Sequence, residues 1–168
     1  MELAKESLII KREVLEKFTD RGLYPYSRFY LRNIKSGFGN FWKNHFSTIG
    51  IIGMNDAVYN LLGFDLTQPE GVAFAVRALD FMRSRLSDFQ TETGSIFNLE
   101  ATPAEGTSYR LARIDKRLYP DIKVYSEEAY AGGNGNKELQ APYYTNSTQL
   151  PVGFTDDVFT ALKYQDEL

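Results

Sequence analysis

The chain has no cysteine among its 168 residues, which excludes a disulfide framework, a thiolate zinc site and a thiol nucleophile. It has one histidine, His45, so a Ser/His/Asp triad would have to use that residue. No stretch approaches the ~18 uninterrupted apolar residues that span a bilayer. Excess charge is scarce as well. The 22 acids and 19 bases leave a net charge of −3, no footprint for nucleic acid or a membrane surface. Glu2 and Glu6 open the chain without an apolar h-region, so it does not begin as a signal peptide does. The closing Gln165-Asp166-Glu167-Leu168 resembles an ER-retrieval tag only faintly and reads better as a helix end. The expected setting is the cytoplasm.

What is present is an ordinary globular mixture, 43 % apolar and 24 % charged. A chain of this length buries roughly 70 % of its unfolded surface, enough for one domain over residues 1–168. Twelve Phe and eleven Tyr imply a heavily packed interior, or apolar surface meant for another piece of protein.

Hydrophobic spacing organises the chain. Leu8, Val14, Leu15 and Phe18 mark an amphipathic helix from Glu2 to Thr19, stopped at Arg21-Gly22. Tyr24 to Asn44 is aromatic and glycine-punctuated, and reads as loop or hairpin. Phe46 to Gly53 is a short β-branched run suited to a buried strand. Asn55 or Asp56 then offers an N-cap for a helix ending at Gly63. Pro69 starts a long helix to about Gln90, with Val72, Ala75, Val76, Leu79, Met82 and Leu86 as its buried stripe and Gly94 as its close. Ile96 to Ala101 is a second strand, and a helix from Pro103 to about Leu118 follows it. The glycine-rich Ala131 to Asn136 is expected to be an exposed loop. Tyr143 to Leu150 is polar and β-capable, and Thr155 is placed to cap a last helix. Strands alternating with helices imply an α/β fold with parallel neighbours.

Chemistry concentrates after the second strand. Thr102 reads as an N-cap, Pro103 as the first helical residue, and Glu105 as the far member of a capping box. Such a junction aims backbone N–H groups and a positive dipole end at a pocket edge, where phosphate binds. Gly106, Thr107 and Ser108 are small enough for close approach. A capped helix that binds nothing fits the same pattern, and pattern alone favours it. Asn98 and Glu100 share one face of the strand. Glu100 and Glu105 form a carboxylate pair suited to acid/base work, although solvation at a surface is the commoner use. Tyr143 to Thr148, with Asn146 and Ser147 at its centre, is either a polar binding cluster or a hydrogen-bonded turn. His45 lacks a companion at metal-ligand spacing and is expected to be structural. The Gly37-Phe38-Gly39 and Gly50-Ile51-Ile52-Gly53 runs match no dinucleotide or P-loop fingerprint.

Three blocks together carry a resemblance. They are Asn44-His45-Phe46-Ser47-Thr48-Ile49-Gly50-Ile51-Ile52-Gly53-Met54-Asn55, Phe97-Asn98-Leu99-Glu100-Ala101-Thr102-Pro103-Ala104-Glu105-Gly106, and Tyr143-Tyr144-Thr145-Asn146-Ser147-Thr148-Gln149-Leu150-Pro151-Val152. In this order and spacing the chain resembles an internal, central-to-late part of the anaerobic (class III) ribonucleoside-triphosphate reductases. The resemblance covers nearly all of it, including the Gly22-Leu23-Tyr24-Pro25-Tyr26 turn. It implies a fragment of a ten-stranded α/β barrel of the glycyl-radical-enzyme type, with few parallel strands alternating with helices. In that family a glycyl radical oxidises a finger-loop cysteine to a thiyl, the thiyl abstracts the ribose 3′ hydrogen, and formate or a redoxin supplies the reducing equivalents.

The resemblance also implies what lies elsewhere. The finger-loop cysteine is expected before Met1, and the four-cysteine zinc site and radical glycine after Leu168. None of the thirteen glycines here has a glycyl-radical context. No catalytic, metal or cofactor residue is therefore expected in this chain, and in isolation it is expected to be inactive. What it is expected to supply is substrate-pocket wall. Phosphate and ribose contacts are assigned to Asn98, Glu100, Thr102, Ala104, Glu105, Gly106, Thr107, Asn146 and Ser147. The expected partners are the remaining portions of the reductase chain, a nucleoside triphosphate, and further copies meeting through exposed barrel edges. The alternative is a free-standing paralogue that binds nucleotide, or regulates, without catalysis.

Overall fold

A computed structural model describes residues 1–124, 141–151 and 153–168. The expected glycine-rich loop at 131–136, and Val152 of the third block, lie outside the described residues. Among those described there are seven helices and a two-stranded parallel sheet, so the α/β reading holds. The order is α1 (Glu2–Asp20), α2 (Pro25–Tyr30), α3 (Arg32–Phe38), β1 (Ser47–Ile51), α4 (Met54–Leu62), α5 (Pro69–Thr93), β2 (Phe97–Ala101), α6 (Glu105–Leu118) and α7 (Val158–Gln165). No helix is long and apolar enough to cross a membrane among the described residues. The chain forms two compact units, residues 1–49 with 81–99, and residues 50–80 with 100–168.

In the first unit α1 lays Leu8 and Ile9 on a core of Leu86, Phe89 and Phe97. The Phe89 and Phe97 rings meet edge to face at 5.7 Å. The aromatic stretch after α1 is two short helices and not a hairpin. Pro25 suits a first helical turn, and Gly39, at φ +80°, ends the second helix. The turn that follows is held from α1. The Glu16 carboxylate accepts the Phe41 and Trp42 amides and pairs with Lys35, raising that ammonium's pKa. Arg12 donates to the carbonyls of Trp42 and His45 and to Ser47 Oγ, 2.9 Å away. His45 is structural in this sense: its carbonyl is tied to Arg12, and its exposed ring rests edge-on against Trp42.

In the second unit Met54, Val58, Leu66 and Ala75 form the core, with Phe74, Leu79, Leu150 and Leu168 packed against it. The α4–α5 connection is tied on both sides. Asn55 Oδ1 accepts the Leu66 amide at 3.1 Å, and Asp65 Oδ1 accepts the Thr67 amide at 2.9 Å. Gly71 is obligatory there, because a Cβ would lie 2.0 Å from the Asp65 carbonyl oxygen.

Three helix starts differ from the sequence expectation. Neither Asn55 nor Asp56 caps α4. Gly53, in the left-handed region at φ +73°, precedes it, and both side chains are spent on distant backbone. Asp157, not Thr155, caps α7: its carboxylate accepts the Thr160 hydroxyl and the Thr160 N–H, which in that order lower its pKa. Thr155 Oγ accepts the Asp157 amide one step earlier. The third difference, at α6, falls in the candidate site.

Candidate functional site

β2 and α6 are joined by Thr102, Pro103 and Ala104. The expected capping box does not form. Ala104 is the N-cap residue, at φ 38° and ψ 46°, and no side chain caps the helix. Proline holds its predecessor extended, so Thr102 stays in line with the strand, two residues short of the cap position. Its methyl lies against Gly50, where an added Cβ would sit 2.6 Å away. Glu105 is then the first helical residue, not the third, and cannot reach back as a capping-box partner.

This geometry alters the offer made to an anion without removing it. The Ala104 carbonyl accepts both Thr107 and Ser108 amides, at 2.8 and 2.9 Å. The Glu105 and Gly106 amides precede the helical ladder and have no carbonyl of their own helix to bond. Both residues are exposed, and a Cβ at Gly106 would meet open space. Holding a non-glycine residue left-handed costs about 1–2 kcal/mol, so Ala104 is a strained point at the strand end.

The 143–148 cluster is a turn that clamps two helices of the second unit; no strand forms there. The Gly53 and Met54 amides donate to the carbonyls of Thr145 and Ser147, at 2.8 and 3.0 Å. The buried Asp56 carboxylate accepts both the amide and the hydroxyl of Thr145, each at 2.7 Å. On the other side Ser108 Oγ donates to the Tyr144 carbonyl, and the Tyr144 hydroxyl donates to Asp115, again at 2.7 Å. Burial, then the hydrogen bond to Asp115, push the Tyr144 phenol above its ordinary pKa range. Ser147 is 2 % exposed, left-handed at φ 45°, and its hydroxyl has no hydrogen-bond partner among the described residues. Asn146 is half-buried and its carbonyl closes the turn with the Gln149 amide.

Most of the sequence-assigned residues therefore share the second unit: Glu100, Thr102, Ala104, Glu105, Gly106, Thr107, Asn146 and Ser147. Asn98 belongs to the first, where its Oδ1 accepts Thr48 Oγ at 2.7 Å across the sheet. Glu100 and Glu105 are both exposed. Sequence reasoning named Asp56 as a cap, Ser108 as a small residue and Tyr144 within the polar cluster, but missed the ties they make and missed Asp115. It also missed an open apolar groove of about 640 Å³ beside Ala101 and Thr148, walled by Leu150, Phe154, Leu162 and Leu168. No local signal reveals these, since each partner lies tens of residues away. Among the described residues no three His, Cys, Asp or Glu side chains gather as metal ligands. With no cysteine in the chain, these residues do not fit a four-cysteine zinc site.

The family model for anaerobic ribonucleoside-triphosphate reductase matches residues 1–168. Comparison with curated protein sequences gives no match. Among solved structures, the anaerobic ribonucleotide reductase of Thermotoga maritima with glycerol in the active site is similar at 24 % identity and a TM-score of 0.67. The same enzyme with dATP in the specificity site gives 23 % and 0.65. Each likeness covers 97 % of this chain but only 24 % and 25 % of the other, so the chain spans about a quarter of the solved structures it matches.

Proposed function

Because the chain belongs to the anaerobic ribonucleoside-triphosphate reductase family, we propose that it forms one part of the catalytic barrel of such an enzyme. In that assembly it supplies wall to the pocket that holds a ribonucleoside triphosphate during reduction to the deoxynucleotide, in the cytoplasm. The match over residues 1–168 carries this reading. The residues act as a single piece of a ten-stranded barrel. The remaining portions of the reductase chain are their main partner, and further copies meet them at exposed barrel edges.

The β2–α6 junction is the phosphate ledge of that wall. Two exposed amides without helical partners, at the positive end of a 14-residue helix, suit a polyanion. Thr102, Ala104, Glu105, Gly106 and Thr107 bracket the anion. Asn98, whose Oδ1 is engaged by Thr48, offers its amide N–H groups, and with Glu100 it faces the sugar. Asn146 and Ser147 complete the set from the neighbouring turn. A glycyl radical and a thiyl supply the hydrogen abstraction in the whole enzyme, with formate or a redoxin as reductant. This chain has no thiol to carry that step, so its own residues bind and orient.

An NMR titration of the chain with a nucleoside triphosphate tests the ledge. The largest shifts are expected at amides 104–108, with affinity on the order of millimolar, or ~4 kcal/mol, and weakening as salt rises. Shifts centred elsewhere would reject the assignment. In an anaerobic assay with an activating radical enzyme and formate, the isolated chain should form no deoxynucleotide above blank.

A further inference from the structure

The turn at 143–148 and the start of α6 are distant in sequence, and Tyr144 joins them. Its carbonyl accepts Ser108 Oγ, 36 residues earlier, and its hydroxyl donates to Asp115 Oδ2, each at 2.7 Å. Ser108 and Asp115 stand about two turns apart on one face of α6, roughly 10 Å along the axis at 1.5 Å per residue. Tyr144 bridges that span and is held at both ends. Behind it the chain passes close at Gly53, where an added Cβ would lie 3.1 Å from Tyr144 Cβ. Beside it the Tyr143 ring rests on that of Tyr109, with centroids 5.4 Å apart. To slide along α6, the turn would have to break both Tyr144 hydrogen bonds.

We propose that Tyr144 is a positioning residue: it fixes Asn146 relative to the start of α6, and through Asn146 the site distinguishes a nucleoside triphosphate from a bare polyphosphate. This rests on the reading of the β2–α6 junction as a phosphate ledge, and adds to it the part that reads the nucleoside. The two contributions separate by element. The Glu105 and Gly106 amides belong to α6 itself and meet phosphate wherever the turn sits. Asn146 comes from the turn, just past Tyr144. It is half-buried, and its side-chain amide makes no hydrogen bond among the described residues. A half-buried amide without a partner in the chain suits the hydroxyls of a sugar, which polyphosphate lacks. The Tyr144 phenol touches no ligand in this scheme and acts only through the turn it holds.

NMR titrations of the full chain with ATP and, separately, with inorganic tripolyphosphate test this at amides 105, 106 and 146. In the parent chain both probes should shift 105 and 106, while ATP alone should shift 146 and bind the more tightly. Tyr144→Phe removes the hydroxyl and keeps the ring. It should raise the Kd for ATP roughly threefold to tenfold, the scale of one hydrogen bond, and leave that for tripolyphosphate unchanged. Asp115→Asn keeps an acceptor for the phenol and should retain ATP binding, whereas Asp115→Leu should behave as Tyr144→Phe does. Gly71→Ala strains the α4–α5 connection of the same unit without touching the tie, and should bind ATP as the parent does. An equal loss in Gly71→Ala would show that affinity merely follows stability, and would overturn the positioning role. ATP affinity unchanged in Tyr144→Phe, with the shifts at 105 and 106 intact, would overturn this inference alone. No shift at 105 and 106 with either probe would reject the ledge, and the inference with it.

Discussion

Replacing Gly71 by alanine sets two effects of known sign against each other. Helix propensity favours alanine over glycine by up to about 1 kcal/mol. Against this, the new Cβ would lie 2.0 Å from the Asp65 carbonyl oxygen, 2.8 Å from its carbon and 3.3 Å from Val58 Cγ1. Ordinary contacts begin near ~3.5 Å, so the Asp65 backbone must retreat by more than an ångström. It is poorly free to do so, because the next amide, that of Leu66, is bonded to buried Asn55 and the Leu66 side chain is fully buried. Overpacking of this kind costs about 1–3 kcal/mol, and weakening the Asn55 bond adds roughly 1 kcal/mol. The net expectation is a loss of about 2–3 kcal/mol, or roughly 5–10 °C in Tm for a chain of this size. Thermal unfolding by circular dichroism reads the shift. Gly37→Ala is the control: it is also helical, but nothing lies within 4 Å of its added Cβ, so that variant should be as stable as the parent or up to about 1 kcal/mol better. An unchanged Tm for Gly71→Ala beside a neutral control would refute the reasoning.

Three further outcomes are expected. Tyr144→Phe should cost about 1–2 kcal/mol in urea unfolding. The folded phenol's pKa is raised, so the stability it contributes is complete below the unfolded value near 10 and fades as pH climbs; the variant should lack that alkaline loss. Asp56→Ala should be more severe, roughly 3 kcal/mol, because it removes the acceptor of both the half-buried Thr145 amide and its hydroxyl; a loss under 1 kcal/mol would show the tie to be dispensable. Thr102→Ala should leave α6 helicity unchanged, whereas Ala104→Gly should stabilise by about 1 kcal/mol through release of the left-handed backbone. The opposite ranking would restore Thr102 as the cap.

Periodic features were legible in the sequence because they are local. The stripe of α5 puts Val72, Ala75 and Leu86 in the interior as its spacing requires, and both strands fall within a residue or two of their expected spans. Helix starts were not legible, for a common reason. A cap competes with every other acceptor the fold brings near, and Asn55 and Asp56 were taken by Leu66 and Thr145, the latter 89 residues away. At α6 the capping box expected from Thr102, Pro103 and Glu105 does not form. Pro103 suits the start of a helix, yet its restriction on Thr102 and the turn at Ala104 delay that start to Glu105. The family resemblance rested on whole blocks and so survived these local displacements.

The Thr48–Asn98 bond bears on how such sequences drift. It joins two half-buried polar side chains across the sheet at 2.7 Å. Losing one partner leaves the other's polar group unsatisfied, while exchanging both for apolar residues of like shape is nearly neutral. Single substitutions at either position should therefore be purged and paired ones retained, so positions 48 and 98 should change together across relatives. If Asn98 also touches the sugar, that joint drift is forbidden, and the two positions should be frozen as a pair wherever the pocket is used.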